Sequence, residues 1–307
     1  MIYTLTMNPA IDMNLTGYNI KPNQVNRTGH TVYSPNGKGI NVALVLRHFG
    51  LDAAVLGFFG GFTGRYIIDE LLQRKVPAKP IWVEDTTRIN IFINDGDDEF
   101  KFVNSGSFVP QEKQQELLEL LENLEKCDCV IISGSLPKGI SEAFYDELLE
   151  LFRRKDIKFV LDISSLKLKD LLKYEPLLIK PNDDEIKEVF GLNVGSDNEA
   201  LQVMRFLKKN GAQNVLLTMG ERGSYFSNGR DLYWCSVQPI KILSSACAGD
   251  AALGAFLSEW LPAGEIIKAL KKSAATGANV AESDALGDFS SVNEYMKNIE
   301  VRKAGVL

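Results

Sequence analysis

Short runs rich in apolar and β-branched residues recur along this 307-residue chain, separated by longer segments whose apolar residues repeat with the helical period. Strands joined through helical crossovers pair in parallel. The alternation therefore predicts an α/β fold, a doubly wound and mainly parallel sheet with helices on both faces. The expected strands are Ile2 to Thr6, Ala53 to Phe58, Lys79 to Val83, Cys129 to Ser133, Lys158 to Asp162, Leu177 to Lys180 and Val215 to Met219. Between them, Leu117, Leu120, Leu121 and Leu124 follow Pro110 at helical spacing, as do Phe144, Leu148, Leu151 and Phe152. Each set lays one apolar stripe on a sheet.

Two stretches, 12–34 and 88–106, break the alternation: they carry strand residues and the turn signal Asp95-Gly96 but no helical period. They are expected to meet as a small β-lid on a core made of 1–11, 35–87 and 107–307. A lid sheet with one uncovered face needs a partner, which makes it the expected interface of a homodimer.

Composition removes several functions. With 34 Lys and Arg against 40 Asp and Glu, the net charge of −6 argues against a general nucleic-acid or acidic-membrane surface, so any anionic ligand must meet a local basic cluster. The opening MIYTLTMNPAID has no basic segment followed by an apolar stretch, and no run of 18 apolar residues follows, so the expected location is cytoplasmic. Cys127, Cys129, Cys235 and Cys247 form no C-x-x-C, and His30 and His48 lie far from the one C-x-C pair; neither a zinc site nor a disulfide framework is expected. The chain lacks G-x-x-x-x-G-K-[ST], and Gly57, Gly60, Gly61 and Gly64 do not match G-x-G-x-x-G. A P-loop kinase and a nicotinamide-dependent dehydrogenase are set aside on those grounds.

In open α/β sheets ligands bind beyond the carboxyl ends of the strands. The unusual polar groups cluster there: Asn8-Pro9 and Asp12, Gly60-Gly61, Gly134-Ser135, Asp162 to Ser165, Lys180-Pro181-Asn182, and Gly220 to Gly223. The stretch from Ser244 to Asp250 is the most informative, because a small-residue loop entering an apolar helix leaves backbone N–H groups free for an anion. An acid at that point, Asp250, either caps the helix or acts as general base toward an attacking alcohol.

With these residues in view, the chain resembles the ribokinase-like sugar kinases of the phosphofructokinase B type. Pro35 to Ala43 (PNGKGINVA) is similar to their N-terminal signature and Ala246 to Phe256 to their C-terminal one. Thr4 to Asp12, Val25-Asn26-Arg27, Thr87 to Asn90 and Ser133 to Gly139 resemble the branch of 1-phosphofructokinases and tagatose-6-phosphate kinases. The resemblance implies transfer of the ATP γ-phosphate to a hydroxyl of a ketohexose phosphate: fructose 1-phosphate giving fructose 1,6-bisphosphate, with tagatose 6-phosphate as the alternative and a non-catalytic sugar-phosphate sensor more distant.

It also implies residue roles. Asp250 is the expected base, and Cys247, Ala248 and Gly249 the anion hole. Asp12 and Asn41 would hold sugar hydroxyls. Lys38, Arg88 and Arg27 would hold the sugar's phosphate, Arg27 across the dimer, within a binding set that includes Gly37, Asn90 and Lys138. Lys180, Asn182, Thr218, Gly220, Gly223 and Asn279 fall on the ATP side, and Asn182 and Glu185 would organise Mg²⁺ through water.

Three positions depart from the family pattern, each with a side chain where glycine is usual: Asn36, Cys247 and Ser165. Asn tolerates left-handed backbone angles. A Cβ at Cys247 would be strained if that residue needs positive φ, which is what would permit the sensor reading. Two placements of the Cys247 thiol are open: at a helix start that lowers its pKa, or turned inward as an apolar filler.

Overall fold

The computed structural model describes every residue from Met1 to Leu307 except Asp97, Ser245 and Asp284. Asp97 falls in the second lid segment and Ser245 in the small-residue loop, so both lie outside the described residues.

All seven expected strands lie side by side in one sheet. Their order from one edge is Ala78–Val83, Ala53–Gly60, Ile2–Thr6, Cys129–Ser133, Phe159–Asp162, Leu178–Ile179 and Val215–Thr218, every neighbouring pair parallel. Three antiparallel strands, Ser224–Ser227, Asp231–Cys235 and Val301–Val306, extend the sheet to ten. The sequence reading had not included them: the serines of SYFS and the charges of VRKAGV hide the apolar runs that mark interior strands.

Alternation along each strand feeds two apolar layers. Tyr3 and Leu5 face one layer and Ile2 the other; Val130 and Ile132 oppose Cys129 and Ile131 in the same way. The second layer holds the helices Lys38–His48, Ala248–Ala263 and Ile266–Ala281. Ala248–Ala263 is apolar nearly all round, and Ala251 to Ser258 are all buried. It comes very close to Lys38–His48 because position 254 is glycine: a Cβ there would stand 2.8 Å from the Cβ of Val45.

A separate four-stranded sheet runs Thr31–Asn36, Ala10–Thr16, Arg88–Asp95, Asp98–Phe102. Each of its two hairpins is antiparallel, but they join through a parallel pairing of Ala10–Thr16 with Arg88–Asp95. Its strands begin at Ala10 and end at Asn36, two residues beyond the expected segment on either side.

Candidate active site

The carboxyl ends of the parallel strands, the start of Lys38–His48 and the start of Ala248–Ala263 meet at one place. Thr6, Ser133 and Asp162 lie in a single register row at the ends of three adjacent strands. Asp162 is 1% exposed, and its Oδ1 accepts from two ammonium groups, Lys180 Nζ at 3.1 Å and Lys38 Nζ at 3.4 Å. Burial alone would raise the carboxyl's pKa; the charges of Lys180 and Lys38 outweigh it and hold Asp162 below the usual carboxylate range. Asp162 in turn holds Lys38 well above the ordinary lysine value, with help from Asp250 and Glu185.

Asp250 lies in the first turn of Ala248–Ala263 and is 8% exposed. Its Oδ2 accepts from Asn41 Nδ2 at 2.9 Å, whereas no side-chain cap of the helix occurs among the described residues. That geometry disfavours the capping role. Burial and then the charge of Asp162 push its pKa up, while Lys38, Asn41 and Lys180 pull it down, leaving it at about 6. A carboxylate so poised takes a proton more readily than an exposed one and is still ionised at neutral pH. The close helix contact at Gly254 and Val45 recurs one turn away as the contact of Asp250 with Asn41, so the same approach that buries the helix positions the acid.

The anion-hole candidates open that helix. Cys247 has φ +63, Ala251 N–H bonds back to Cys247 O, and the preceding N–H groups of the turn have no intrahelical acceptor. A Cβ at Gly249 would stand 3.7 Å from Lys180 Nζ, which places that ammonium beside the helix start. Cys247 fits neither placement fully: it is half-buried against the apolar layer, and it lines the cavity with Asp12, Asn36 and Asn41. Its pKa is raised, not lowered, because burial and the neighbouring charges of Asp250 and Asp12 outweigh the hydrogen bonds of Asn41 and Asn36.

On the lid side, Asp12 is buried and receives Asn90 Nδ2 on Oδ1 at 2.8 Å and Asn36 Nδ2 on Oδ2. Burial raises its pKa against the opposing effects of Asn90, Asn36 and Arg88. Asn36 ends a strand and does not take the left-handed turn that had been expected of it; Gly37, at φ +136, makes that turn. Arg88 donates to the carbonyls of Asn104 (2.8 Å) and Asn8 (3.0 Å), and its Nε is buried without a partner among the described residues. Lys38 and Arg88 therefore sit on different partners in this chain. Arg27 is exposed in the loop between lid strands, and Lys138 is exposed where its charge acts on Asp85.

Toward the far end of the sheet, Asn182 caps Asp183–Phe190 in a reciprocal box with Glu185, and Glu185 also accepts from Ser164 Oγ at 2.6 Å. Thr218 bridges to Asn182, and Gly220 and Gly223 take φ of +55 and +90 in the following turn. Asn279 is 3% exposed, a buried amide whose Oδ1 lacks a partner among the described residues. Ser165 needs no positive φ, so its Cβ is unstrained, and its hydroxyl donates to Glu142. The sequence reading placed Asp162 in the strand-end cluster and Asn36 among the departures from the family pattern, but gave neither side chain a role. An acid ending a wholly buried strand was the available signal for the first; the second had none, because its partners come from three separate segments.

A family model described as pfkB family carbohydrate kinase matches residues 2–291. The D-tagatose-1-phosphate kinase of Klebsiella oxytoca is 50% identical over 301 residues, 98% of this chain and 99% of that protein. The 1-phosphofructokinase of Bacillus subtilis is 31% identical over 306 residues, 99% of this chain and 100% of that one. Phosphofructokinase-2 of Escherichia coli, solved in complex with substrates and products, shares the fold with a TM-score of 0.89 at 24% identity, over 97% of this chain and 98% of that chain.

Proposed function

The chain belongs to the pfkB family of carbohydrate kinases and phosphorylates a phosphorylated ketohexose, and from that premise we propose that its acceptor is the C6 hydroxyl of a ketohexose 1-phosphate, D-tagatose 1-phosphate before D-fructose 1-phosphate. Identity of 50% to a D-tagatose-1-phosphate kinase, against 31% to a 1-phosphofructokinase, supports that order. The two sugars differ in configuration at a single carbon, so one site geometry suits both.

The observation that carries the chemistry is Asp250, buried beside an uncapped helix start and bonded by Asn41. Asp250 takes the acceptor's proton as the hydroxyl oxygen bonds to the γ-phosphorus of ATP and the bond to the ADP oxygen breaks. The N–H groups at Cys247, Ala248 and Gly249, with Lys180 and Lys38 close by, meet the charge on the phosphoryl group in transit. Asp12, Asn41 and Asn90 hold sugar hydroxyls, with Gly37 turning the chain beside them. Arg88 holds the sugar's phosphate, joined by Lys138 and by Arg27 of a second subunit. Thr218, Gly220, Gly223 and Asn279 receive ATP; the unpartnered Asn279 Oδ1 fits a donor such as an adenine amino group.

No cluster of three or more His, Cys, Asp or Glu suited to a metal occurs among the described residues. Asn182 and Glu185 offer hard oxygen atoms already engaged in a helix cap, a donor set that fits Mg²⁺ held through its waters and not by an all-protein cage. The ion, when bound, neutralises phosphate charge.

A coupled ADP-release assay over the 1- and 6-phosphates of tagatose and fructose and the free sugars tests the reading. Turnover of the two 1-phosphates, with the highest kcat/KM for tagatose 1-phosphate, is expected. Turnover confined to 6-phosphates would move the acceptor to C1, and no ADP release with any of them would leave a sugar-phosphate sensor.

A further inference from the structure

One side chain touches both halves of the candidate site without belonging to either of the groups that would meet substrate. Asn36 is the last residue of the lid strand Thr31–Asn36 and stands just before the glycine turn into the core helix Lys38–His48. Its Oδ1 accepts from the N–H of Gly37 and from Asn41 Nδ2 at 2.9 Å. Its Nδ2 donates to Asp12 Oδ2 and lies 3.7 Å from Cys247 Sγ.

An asparagine amide nitrogen carries two hydrogens, and which way the amide faces is decided by its partners. On Asn41 both are committed, one to Asn36 Oδ1 and one to Asp250 Oδ2. With Asn36 facing as it does, the reverse orientation of Asn41 would set its one carbonyl oxygen against both Asn36 Oδ1 and the Asp250 carboxylate. The hydrogen bonds thus form one connected chain in which Asp12 accepts twice and Asn41 donates twice: Asn90 to Asp12, Asn36 to Asp12, Asn41 to Asn36 and Asn41 to Asp250.

We propose that Asn36 is a positioning residue: by fixing the amide of Asn41, it holds a donor on the base Asp250 and ties that base to the lid carboxylate Asp12. The proposal rests on the reading of Asp250 as the base. Groups of several elements face Asp250: Lys38 at the start of its helix, Asp162 at the end of its strand, Lys180 after Leu178–Ile179, and Cys247 in its own loop. Of these only Cys247 also bonds Asn41, through a weakly accepting sulfur, which leaves Asn36 Oδ1 as the stronger neutral acceptor that fixes its amide. The donor from Asn41 lowers the proton affinity of Asp250, so losing its alignment should raise that affinity.

The test is the acidic limb of kcat/KM against pH, measured on Asn36→Ala, Asn41→Ala and the double variant with whichever ketohexose phosphate the wild type turns over. Asn36→Ala should lower kcat/KM about five- to tenfold, the size of one hydrogen bond, and move the limb to higher pH. Asn41→Ala should move it the same way, and the double variant should move it no further than Asn41→Ala alone. A limb that coincides with the wild type, or two shifts that add, would overturn the proposal, since a purely structural residue changes rate without moving the limb. If Asn36→Ala folds poorly, Asn36→Thr suits a strand, lacks the amide and carries the same comparison. An Asp250→Asn variant with wild-type kcat would refute the base itself; an inactive Asp250→Asn with an unmoved Asn36→Ala limb refutes only the role of Asn36.

Discussion

Replacing Asp250 by Asn should abolish turnover and yet make the protein more stable at alkaline pH. The carboxyl's pKa rises from 3.8 to about 6 in the folded chain, where burial and Asp162 outweigh the attraction of Lys38 and Lys180. A group whose affinity for a proton is raised by folding adds stability that is complete below its unfolded pKa and is lost as pH rises through its folded value. At about 1.36 kcal/mol per pH unit, a rise of roughly two units means that ionised Asp250 destabilises the fold by about 3 kcal/mol at pH 8. Asn has nearly the same shape, carries no charge and can turn its carbonyl oxygen to Asn41. The variant should therefore melt about 5 °C higher at pH 8, taking about 2 °C per kcal/mol for a chain of this size, with the gain shrinking below about 1 kcal/mol near pH 4. Loss of the base should lower kcat by about 10² to 10⁴ while sugar-phosphate binding persists. Calorimetry at pH 4, 6 and 8 beside the coupled assay gives both numbers. A variant no more stable than the wild type at pH 8, or one whose gain is the same at pH 4, would refute the account of why Asp250 can act as a base.

Arg88→Ala should raise KM for the ketohexose phosphate strongly and leave KM for ATP within about twofold, because its partners are carbonyls on the lid side; equal turnover of free and phosphorylated ketohexose by the wild type would contradict this. Cys247→Gly should change stability by less than about 1 kcal/mol, since relief of positive φ offsets the buried sulfur lost, and the wild-type thiol should react slowly with iodoacetamide at pH 8; rapid modification of Cys247 that ATP blocks would restore the activated-thiol placement. Sedimentation at micromolar concentration should show a dimer joined through the lid, where Tyr33, Phe100 and Phe102 are exposed; a fully active monomer would exclude Arg27 as a contribution from a second subunit.

The parallel half of the sheet was legible because its interior strands are short apolar runs bounded by turn residues, and burial on both faces forces that pattern. The antiparallel extension was not: Ser224–Ser227 is buried but is a four-residue run with Ser at both ends, and the edge strand Val301–Val306 is partly exposed and carries Arg and Lys where interior strands carry Val and Ile. Asp250 could be singled out from its place at the mouth of an apolar helix. Its choice between cap and base could not, because the decisive partner, Asn41, is 209 residues away in the chain. The same reason hid Asp162, whose meaning lies in two lysines from distant segments, and Asn36, whose value is in its amide and not in its backbone angle.

Several of the groups a fold tolerates least lie together at the site. Asp250 is ionised and buried, Cys247 holds a Cβ at positive φ, and Asp162 Oδ2 and Arg88 Nε are buried without partners. A buried pair such as Asp162 with Lys180 is weak evidence for stability, since desolvation cancels most of its attraction; removing one partner would be costly, but an apolar pair of the same size would serve the core as well. Its use is geometric. Held on Asp162, the ammonium of Lys180 stands beside the start of Ala248–Ala263, and that of Lys38 stands within electrostatic reach of Asp250. Two apolar layers on either side of a ten-stranded sheet supply the surplus that keeps this arrangement in place. Positive φ also occurs away from the site, at Lys75, Asp156 and Glu175 for example, so what sets the site apart is that strain at Cys247 coincides there with a buried acid and unsatisfied polar atoms, the combination expected where strain serves chemistry.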